Sequence, residues 1–263
     1  MSELKIKKVV IFAGGEGTRL SEKTELTPKP LVPIGNDPVV VHIMRHFYAQ
    51  GCREFILLVG YRSEQFKQYF RDYGFSGRSV SFSNSLGMNI HGKPREDWTI
   101  HVVETGETSD TGRRLALARD FIGEDDFFLT YGDSVSDVDL FALEASHYQN
   151  EHLVTMTAVS REERFGIIKT DGISEIKSFS EKSTIVENLI NGGFMACNNE
   201  LLNEVTPDSG DFAYETLTNL AVAGELGFYH HKGFWHAMDT KRDLDKLTEL
   251  HKSNPKLFGY DSQ

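Results

Sequence analysis

Val9-Val10-Ile11-Phe12-Ala13-Gly14-Gly15-Glu16-Gly17-Thr18-Arg19-Leu20 is the stretch on which the reading of this chain turns. A β-branched, apolar run ending in glycines is a buried strand feeding a tight turn. The glycines accept positive φ and let backbone N–H groups approach an anion with no Cβ in the way. Arg19 and, further on, Lys29 within Thr27-Pro28-Lys29-Pro30 bring positive charge to the same turn. A guanidinium holds phosphate oxygens as a fork, whereas an ammonium is a point charge able to follow a phosphoryl group. The stretch therefore reads as a phosphate cradle.

Two familiar glycine motifs are excluded. A dinucleotide fingerprint needs a third glycine where this chain has Leu20, and that glycine is the one permitting close helix–strand packing. A P-loop needs Gly-Lys-Ser/Thr, which Gly17-Thr18-Arg19 does not supply.

Outward from the cradle, strand and helix signals alternate in the manner of βαβ units. Val9 to Ala13 is the first strand. Pro38 to Gln50 reads as a helix with Val41, Met44 and Phe47 at helical spacing, and Phe55 to Val59 as a strand stopped by Gly60. Ser63 reads as the N-cap of a helix running through Phe70. Val80 to Phe82 and Thr99 to Val103 are short strands. The aperiodic segment Gly87 to Trp98 between them reads as a mobile or binding loop. Thr111 to Asp120 is a helix, Phe127 to Tyr131 a strand stopped at Gly132-Asp133, and Asp139 a cap for the helix Leu140 to Tyr148. Leu153 to Val159, Gly166 to Lys169 and Ile173 to Phe179 are strands; Gly227 to Asp239 holds two paired strand-like segments ahead of a helix from Arg242 to His251. This order predicts an α/β fold: a Rossmann-like mixed, mostly parallel sheet flanked by helices, with small β additions, in a single domain over residues 1–263. Ligands on such sheets sit at the carboxyl ends of strands. Gly14 to Arg19 and Gly132-Asp133 thus share one cleft.

Composition narrows the function. Hydrophobic residues at 39% and charged residues at 25% describe a folded domain rather than a disordered chain. A formal charge of −11 argues against nucleic-acid binding, so an anionic ligand needs local positive charge. No stretch approaches a membrane span, and Met1 to Lys8 lacks the apolar core of a secretory signal, which predicts a cytoplasmic protein. Cys52 and Cys197 lack the spacing for zinc or redox work and read as core residues.

Asp133, where a strand ends, and Asp239, in Gly233-Phe234-Trp235-His236-Ala237-Met238-Asp239-Thr240, are candidate magnesium ligands. Mg²⁺ favours hard oxygen donors and is held by one or two carboxylates plus substrate phosphates. A lone Asp after a strand is more often a helix cap, but two beside a phosphate loop form a set. His230, His231 and His236 lack metalloprotease spacing and read as structural.

Together, Gly14-Gly15-Glu16-Gly17-Thr18-Arg19-Leu20-Ser21-Glu22, Pro28-Lys29-Pro30, Tyr131-Gly132-Asp133, Phe179-Ser180-Glu181-Lys182, Ile190-Asn191-Gly192-Gly193-Phe194 and Gly233-Phe234-Trp235 with Met238-Asp239-Thr240 resemble the glucose-1-phosphate cytidylyltransferase family. This is a branch of the nucleotide-sugar pyrophosphorylases, whose fold is glycosyltransferase-A-like, and the resemblance runs from about Val9 to Leu250. It implies attack by the phosphate of glucose 1-phosphate on the α-phosphorus of CTP, giving CDP-glucose and pyrophosphate for polysaccharide sugar synthesis, with Mg²⁺ as cofactor. It also implies a homo-oligomer. By resemblance, Arg19, Lys29 and Asp133 are catalytic, and Asp133 with Asp239 binds the metal. Gly14, Gly15, Glu16, Gly17, Thr18, Arg19, Lys29, Thr105, Thr111, Gly112 and Gly132 line the nucleotide. Glu181, Lys182, Asn191 and Gly193 bind the sugar phosphate. Thr111 has a second reading, as the N-cap of its helix.

The chain departs from the family pattern at four places. Arg113 stands for a glycine in Thr-Gly-Gly-Arg, and if that turn needs positive φ it is either strained or in a rearranged loop. Ser134 replaces the glycine after the metal Asp, Ser183 the proline of Glu-Lys-Pro, and Phe212-Ala213-Tyr214-Glu215-Thr216-Leu217 lacks the usual first Glu and the Pro. Several of these lie near the acceptor. A cytidylyltransferase with another phosphorylated acceptor is therefore the alternative. A non-catalytic nucleotide-binding regulator would have lost Arg19, Lys29, Asp133 or Asp239, and all four are present.

Overall fold

Val9 to Phe12 are buried because β1 (Lys8–Phe12) has a strand on each side and a packed layer on each face. The structure, a computed structural model, describes residues 3–15, 17, 26–85, 87–160, 167–170, 176–180 and 189–258. After β1 come the short pair β2 (Pro33–Ile34) and β3 (Asp37–Pro38), then helix α1 (Val39–Ala49), strand β4 (Glu54–Val59) and helix α2 (Ser63–Tyr73). A hairpin of β5 (Ser79–Ser83) and β6 (Gly87–His91) precedes β7 (Thr99–Glu104), helices α3 (Thr111–Leu117) and α4 (Arg119–Ile122), and strands β8 (Phe127–Tyr131) and β9 (Ser134–Ser136). Next are α5 (Leu140–Asn150), β10 (Val154–Ser160), the hairpin β11 (Ile167–Thr170) with β12 (Ile176–Ser180), and strands β13 (Leu189–Asn191) and β14 (Met195–Cys197). The chain closes with α6 (Leu217–Ala223), β15 (Leu226–His231), β16 (Trp235–Ala237) and α7 (Lys241–Ser253).

In the central sheet β8, β1, β4 and β7 run parallel in that order, and β14 joins β8 antiparallel. β10 pairs with β13 and β14 on one side and with β15 on the other. The expected mixed, mostly parallel sheet is therefore present. Alternate residues of β1 enter opposite layers. Val9 and Ile11 pack with Val40, Met44, Phe47, Leu143 and Leu247, while Val10 and Phe12 pack with Leu115, Ile122, Phe212 and Leu220. Coverage of both faces is why the parallel strands read as continuous apolar runs rather than alternating ones.

Several local expectations change. Ser63 is the first residue of α2, and its N-cap is Arg62, in the left-handed region at φ 50° with no side-chain cap bond. The aperiodic Gly87 segment begins as a strand, β6, paired with β5. The helix expected over Thr111 to Asp120 is broken at Ala118 (φ −90°, ψ 0°) into α3 and α4. The two strands before the last helix do not pair with each other: β15 joins β10 and β16 joins β9. Asp139 caps α5 as expected, its Oδ1 accepting from Ala142 N at 3.0 Å, a contact worth about 1 kcal/mol.

Candidate active site

The carboxyl ends of β1, β4, β7 and β8 come out at one edge of the sheet, since these strands are parallel and in register. Their loops carry Gly14, Gly60, Gly106 and Gly132 and open on a cleft of about 520 Å³ that Gly14, Gly15, Gly17, Lys29, Tyr131, Asp133 and Asp239 help to line. Gly17 has φ 64°, the left-handed conformation that the cradle reading requires of a glycine.

Lys29 sits in a 3-10 turn between Pro28 and Pro30, closed by Leu31 N donating to Pro28 O at 2.8 Å. Gly132 lets the end of β8 meet this turn. A Cβ there would lie 2.9 Å from Phe12 O and 3.1 Å from Pro30 Cγ. The following residue, Asp133, is thereby brought against Lys29, whose Nζ lies 2.6 Å from Asp133 Oδ2. Asp239 arrives by a separate route. β16 pairs with β9 immediately after Asp133, Met238 N donates to Asp133 O at 2.8 Å, and Thr240 begins α7 with a capping box to Asp243. Asp239 is pinned between these two devices, and its Oδ1 lies 2.8 Å from the same Lys29 Nζ.

Lys29 is mostly buried, and burial works against its charge. The two carboxylates outweigh this and hold its pKa above the ordinary lysine range. Two hard oxygen donors already converge on one cation. That donor set suits a divalent cation shared with substrate phosphates rather than a protein-only cage, and among the described residues no group of three or more ligating side chains assembles.

Beside the cradle, Arg114 is buried at 3% exposure. Its guanidinium spans three strand ends, donating to Gly14 O at 3.0 Å, Val59 O at 3.2 Å, Thr105 Oγ1 at 2.6 Å, Gly106 O at 2.8 Å and Glu107 O at 3.2 Å. Burial lowers its pKa, partly offset by Asp110. Arg113, by contrast, takes ordinary helical backbone with no positive φ and donates to Pro207 O. Arg113 is therefore not strained.

The other expected site residues fall into three groups. Thr111 lines the cleft but is not a cap: it is the first residue of α3, and its Oγ1 accepts from Phe212 N at 2.7 Å and donates to Asp211 Oδ2 at 3.1 Å. Thr105 is buried, its hydroxyl committed to Val59 O and Arg114, and Gly112 packs against Gly210, whose carbonyl a Cβ would approach to 2.6 Å. Asn191 and Gly193 stand together beyond β8. Asn191 Oδ1 accepts from Gly193 N at 2.8 Å, Gly193 has φ 71° and Phe194 has φ 42°, a strained turn for a buried aromatic residue. Glu16, Thr18, Arg19, Glu181, Lys182 and Ser183 lie outside the described residues. Ser134 is buried in β9 opposite Ala237, where extended backbone asks for no glycine.

Arg114, Ser109, Asp110 and Asp211 also line the cleft and were not singled out from the sequence. Asp211 introduces a π-helical turn at Phe212–Thr216, its Oδ1 accepting from Tyr214 N at 2.9 Å. π-turns gather at functional sites, but nothing in the residue pattern marks one. The signal for Arg114 was its place after Thr111-Gly112.

The nucleotidyl transferase family profile matches residues 8–249. The chain is 40% identical over 246 residues to the probable glucose-1-phosphate cytidylyltransferase of Bacillus subtilis (strain 168), covering 92% of this chain and 95% of that one. It is 39% identical over 245 residues to the glucose-1-phosphate cytidylyltransferase of Salmonella typhi, with the same coverages. Among solved structures, HddC from Yersinia pseudotuberculosis superposes with a TM-score of 0.66 at 20% identity, over 93% of this chain and 99% of that one. UTP-bound UGPase from Acinetobacter baumannii gives 0.66 at 16% identity, over 96% of each. The chain belongs to the nucleotidyl transferase family of enzymes, in the branch that holds the glucose-1-phosphate cytidylyltransferases.

Proposed function

We propose that this enzyme transfers the cytidylyl group of CTP to glucose 1-phosphate, with Mg²⁺ as its divalent cation. A phosphate oxygen of the sugar phosphate forms a bond to the CTP α-phosphorus as the bond to the β-phosphate oxygen breaks, so that CDP-glucose forms and pyrophosphate leaves. Both reactants are anions, and the attacking oxygen is already ionised, so repulsion and alignment are the problems rather than proton removal.

Sheet order supports separate places for the two substrates. The triphosphate lies over Gly14, Gly15 and Gly17 at the end of β1, with Arg114 holding the neighbouring loops in place. The acceptor approaches from the β8 and β14 side, where Asn191 and Gly193 stand. Lys29, between Asp133 and Asp239, marks the junction, and its ammonium is poised to neutralise the α-phosphoryl oxygens. Arg19 serves the β- and γ-phosphates, and Lys182 with Glu181 the sugar phosphate. Asp133 and Asp239 would hold a divalent cation, which would supply charge neutralisation at the nucleotide phosphates. The observation that carries the reading is this convergence of Lys29, Asp133 and Asp239 at the mouth of the cradle.

The test is pyrophosphate release by the purified enzyme from CTP, UTP, GTP and dTTP, each with a panel of sugar 1-phosphates, with and without Mg²⁺. Metal-dependent turnover is expected to be highest with CTP and glucose 1-phosphate. No turnover with that pair overturns the proposal, and turnover of CTP with another phosphorylated compound redirects it.

A further inference from the structure

The loop from the end of β7 to the start of α3 forms the wall of the cleft remote from Asp133, since β4 and β1 stand between β7 and β8. This wall is tightly built. Arg114 donates to Thr105 Oγ1, Gly106 O and Glu107 O, and Ser109 Oγ donates to Thr105 O. Asp110 comes next and lines the cleft, fixed as the N-cap of α3 with its carbonyl accepting from Arg114 N at 3.0 Å.

An aspartate at an N-cap ordinarily turns its carboxylate onto the first-turn amides. Asp139 and Asp211 do so here, accepting from Ala142 N and Tyr214 N. The Asp110 side chain makes no such bond. Gly112 N, one of the amides within its range, donates instead to Gly210 O at 2.9 Å. Among the described residues the Asp110 carboxylate has no hydrogen bond or ion pair, and the Arg114 guanidinium acts on it only through space. An uncommitted carboxylate repels phosphate, so in a cleft for a triphosphate it belongs against a neutral group that offers a donor.

We propose that Asp110 reads the base of the nucleotide, its carboxylate accepting a hydrogen bond from the exocyclic amine of cytosine and repelling the carbonyl oxygen that uracil carries at the same position. The proposal rests on the cytidylyl-transfer reading, which puts the α-phosphoryl group at Lys29. Base and phosphates are opposite ends of a nucleoside triphosphate, and Asp110 and the Lys29–Asp133 pair stand on opposite walls of the cleft.

Steady-state kinetics of the wild type, Asp110→Asn and Asp110→Ala are measured with CTP, UTP and 2′-deoxy-CTP at saturating sugar 1-phosphate. The wild type is expected to prefer CTP to UTP in kcat/KM. Each substitution should cut that preference about tenfold or more and leave KM for the sugar 1-phosphate unchanged. Asp110→Asn should also use UTP better than the wild type does, because an amide N–H can donate to the uracil carbonyl. A carboxylate that merely favours the start of α3 would shift the melting midpoint and leave the preference alone. A preference unchanged in both variants, or absent from the wild type, overturns the assignment. So does a loss seen with CTP but not with 2′-deoxy-CTP, which would put the carboxylate on the ribose. Failure of the underlying reading is distinguishable, because the wild type would then show no turnover with CTP.

Discussion

Arg114 Nη2 donates to the carbonyl of Gly14 at 3.0 Å, so the phosphate cradle hangs on a side chain from the opposite wall of its own cleft. Gly14 and Gly60 make room for that guanidinium. A Cβ on Gly14 would stand 2.3 Å from Arg114 Nη1, and one on Gly60 2.4 Å from both Nη1 and the Gly106 carbonyl, whereas nothing lies within 4 Å of a Cβ on Gly15. Gly14→Ala is expected to destabilise the protein by about 2 kcal/mol, with Gly60→Ala worse because a backbone carbonyl cannot swing aside. Gly15→Ala should leave the denaturant midpoint unchanged. Urea unfolding of the three variants checks the order.

The Lys29 ion triad makes a prediction that turnover alone does not test. Lys29→Met removes the cation that Asp133 and Asp239 share, so turnover should fall at least ~1000-fold. The same variant should bind Mg²⁺ more tightly in the absence of nucleotide, since two carboxylates are left facing each other. Calorimetric titration measures this, and weaker metal binding would remove Asp133 and Asp239 as a metal pair. The sign of the pH effect follows from the raised lysine pKa. The stabilisation is fully present below the ordinary lysine value of 10.5 and is lost as pH rises through the higher folded value, so neutral pH leaves it intact.

The parts of this architecture that follow local rules were legible in the residues. Phe127 to Tyr131 is a strand with the bounds its composition implies, and Asp139 caps its helix because a carboxylate at that position satisfies an orphan N–H. Asp133 and Lys29 meet as their placement after a strand and between prolines suggested. What escaped depends on distant partners. β13 and β14 are three residues each and show no period, and they exist because β10 and β8 offer open edges to them. The setting of Arg114 shows only once Gly14, Gly60 and Gly106 are seen around it. Arg62 takes a left-handed conformation imposed by the turn after Gly60, and its side-chain type gives no hint of it.

Away from the cleft, Arg45 is buried at 3% exposure with Asp37 and Glu96 at 8% and 9%. Its Nη1 donates to Asp37 Oδ2 at 2.7 Å and its Nε to Glu96 Oε1 at 2.8 Å, while Tyr73 donates to Glu96 Oε2 at 2.7 Å. Burial opposes the charge on Arg45, and the hydrogen bonds it donates to the two carboxylates more than restore it. Arg45→Met would leave Asp37 and Glu96 with the longer Arg95 contacts, at 3.8 and 3.7 Å, beside the Tyr73 hydrogen bond, at a cost of about 3 kcal/mol. The denaturant midpoint should fall with the slope unchanged, and a variant within about 0.5 kcal/mol of wild type would show that water reaches the pair.

Acid stability depends in part on His42, which is fully buried in α1 and shares with His46 a pKa lowered by burial. Its Nε2 donates to Ile34 O at 2.8 Å, and burial, with Arg45 and His251 adding to it, lowers the pKa from 6.5 to about 4. Between those values the unfolded chain binds a proton that the native state refuses, so stability falls as pH falls, by about 1.4 kcal/mol per pH unit from this group. Above pH 7 both states are neutral at this site and the contribution is flat. His42→Gln removes the titrating group and keeps an N–H donor for the Ile34 carbonyl. Urea unfolding at pH 7, 6 and 5 should therefore show a shallower loss of stability in the variant than in the wild type, and parallel losses would mean that His42 is protonated in the native state.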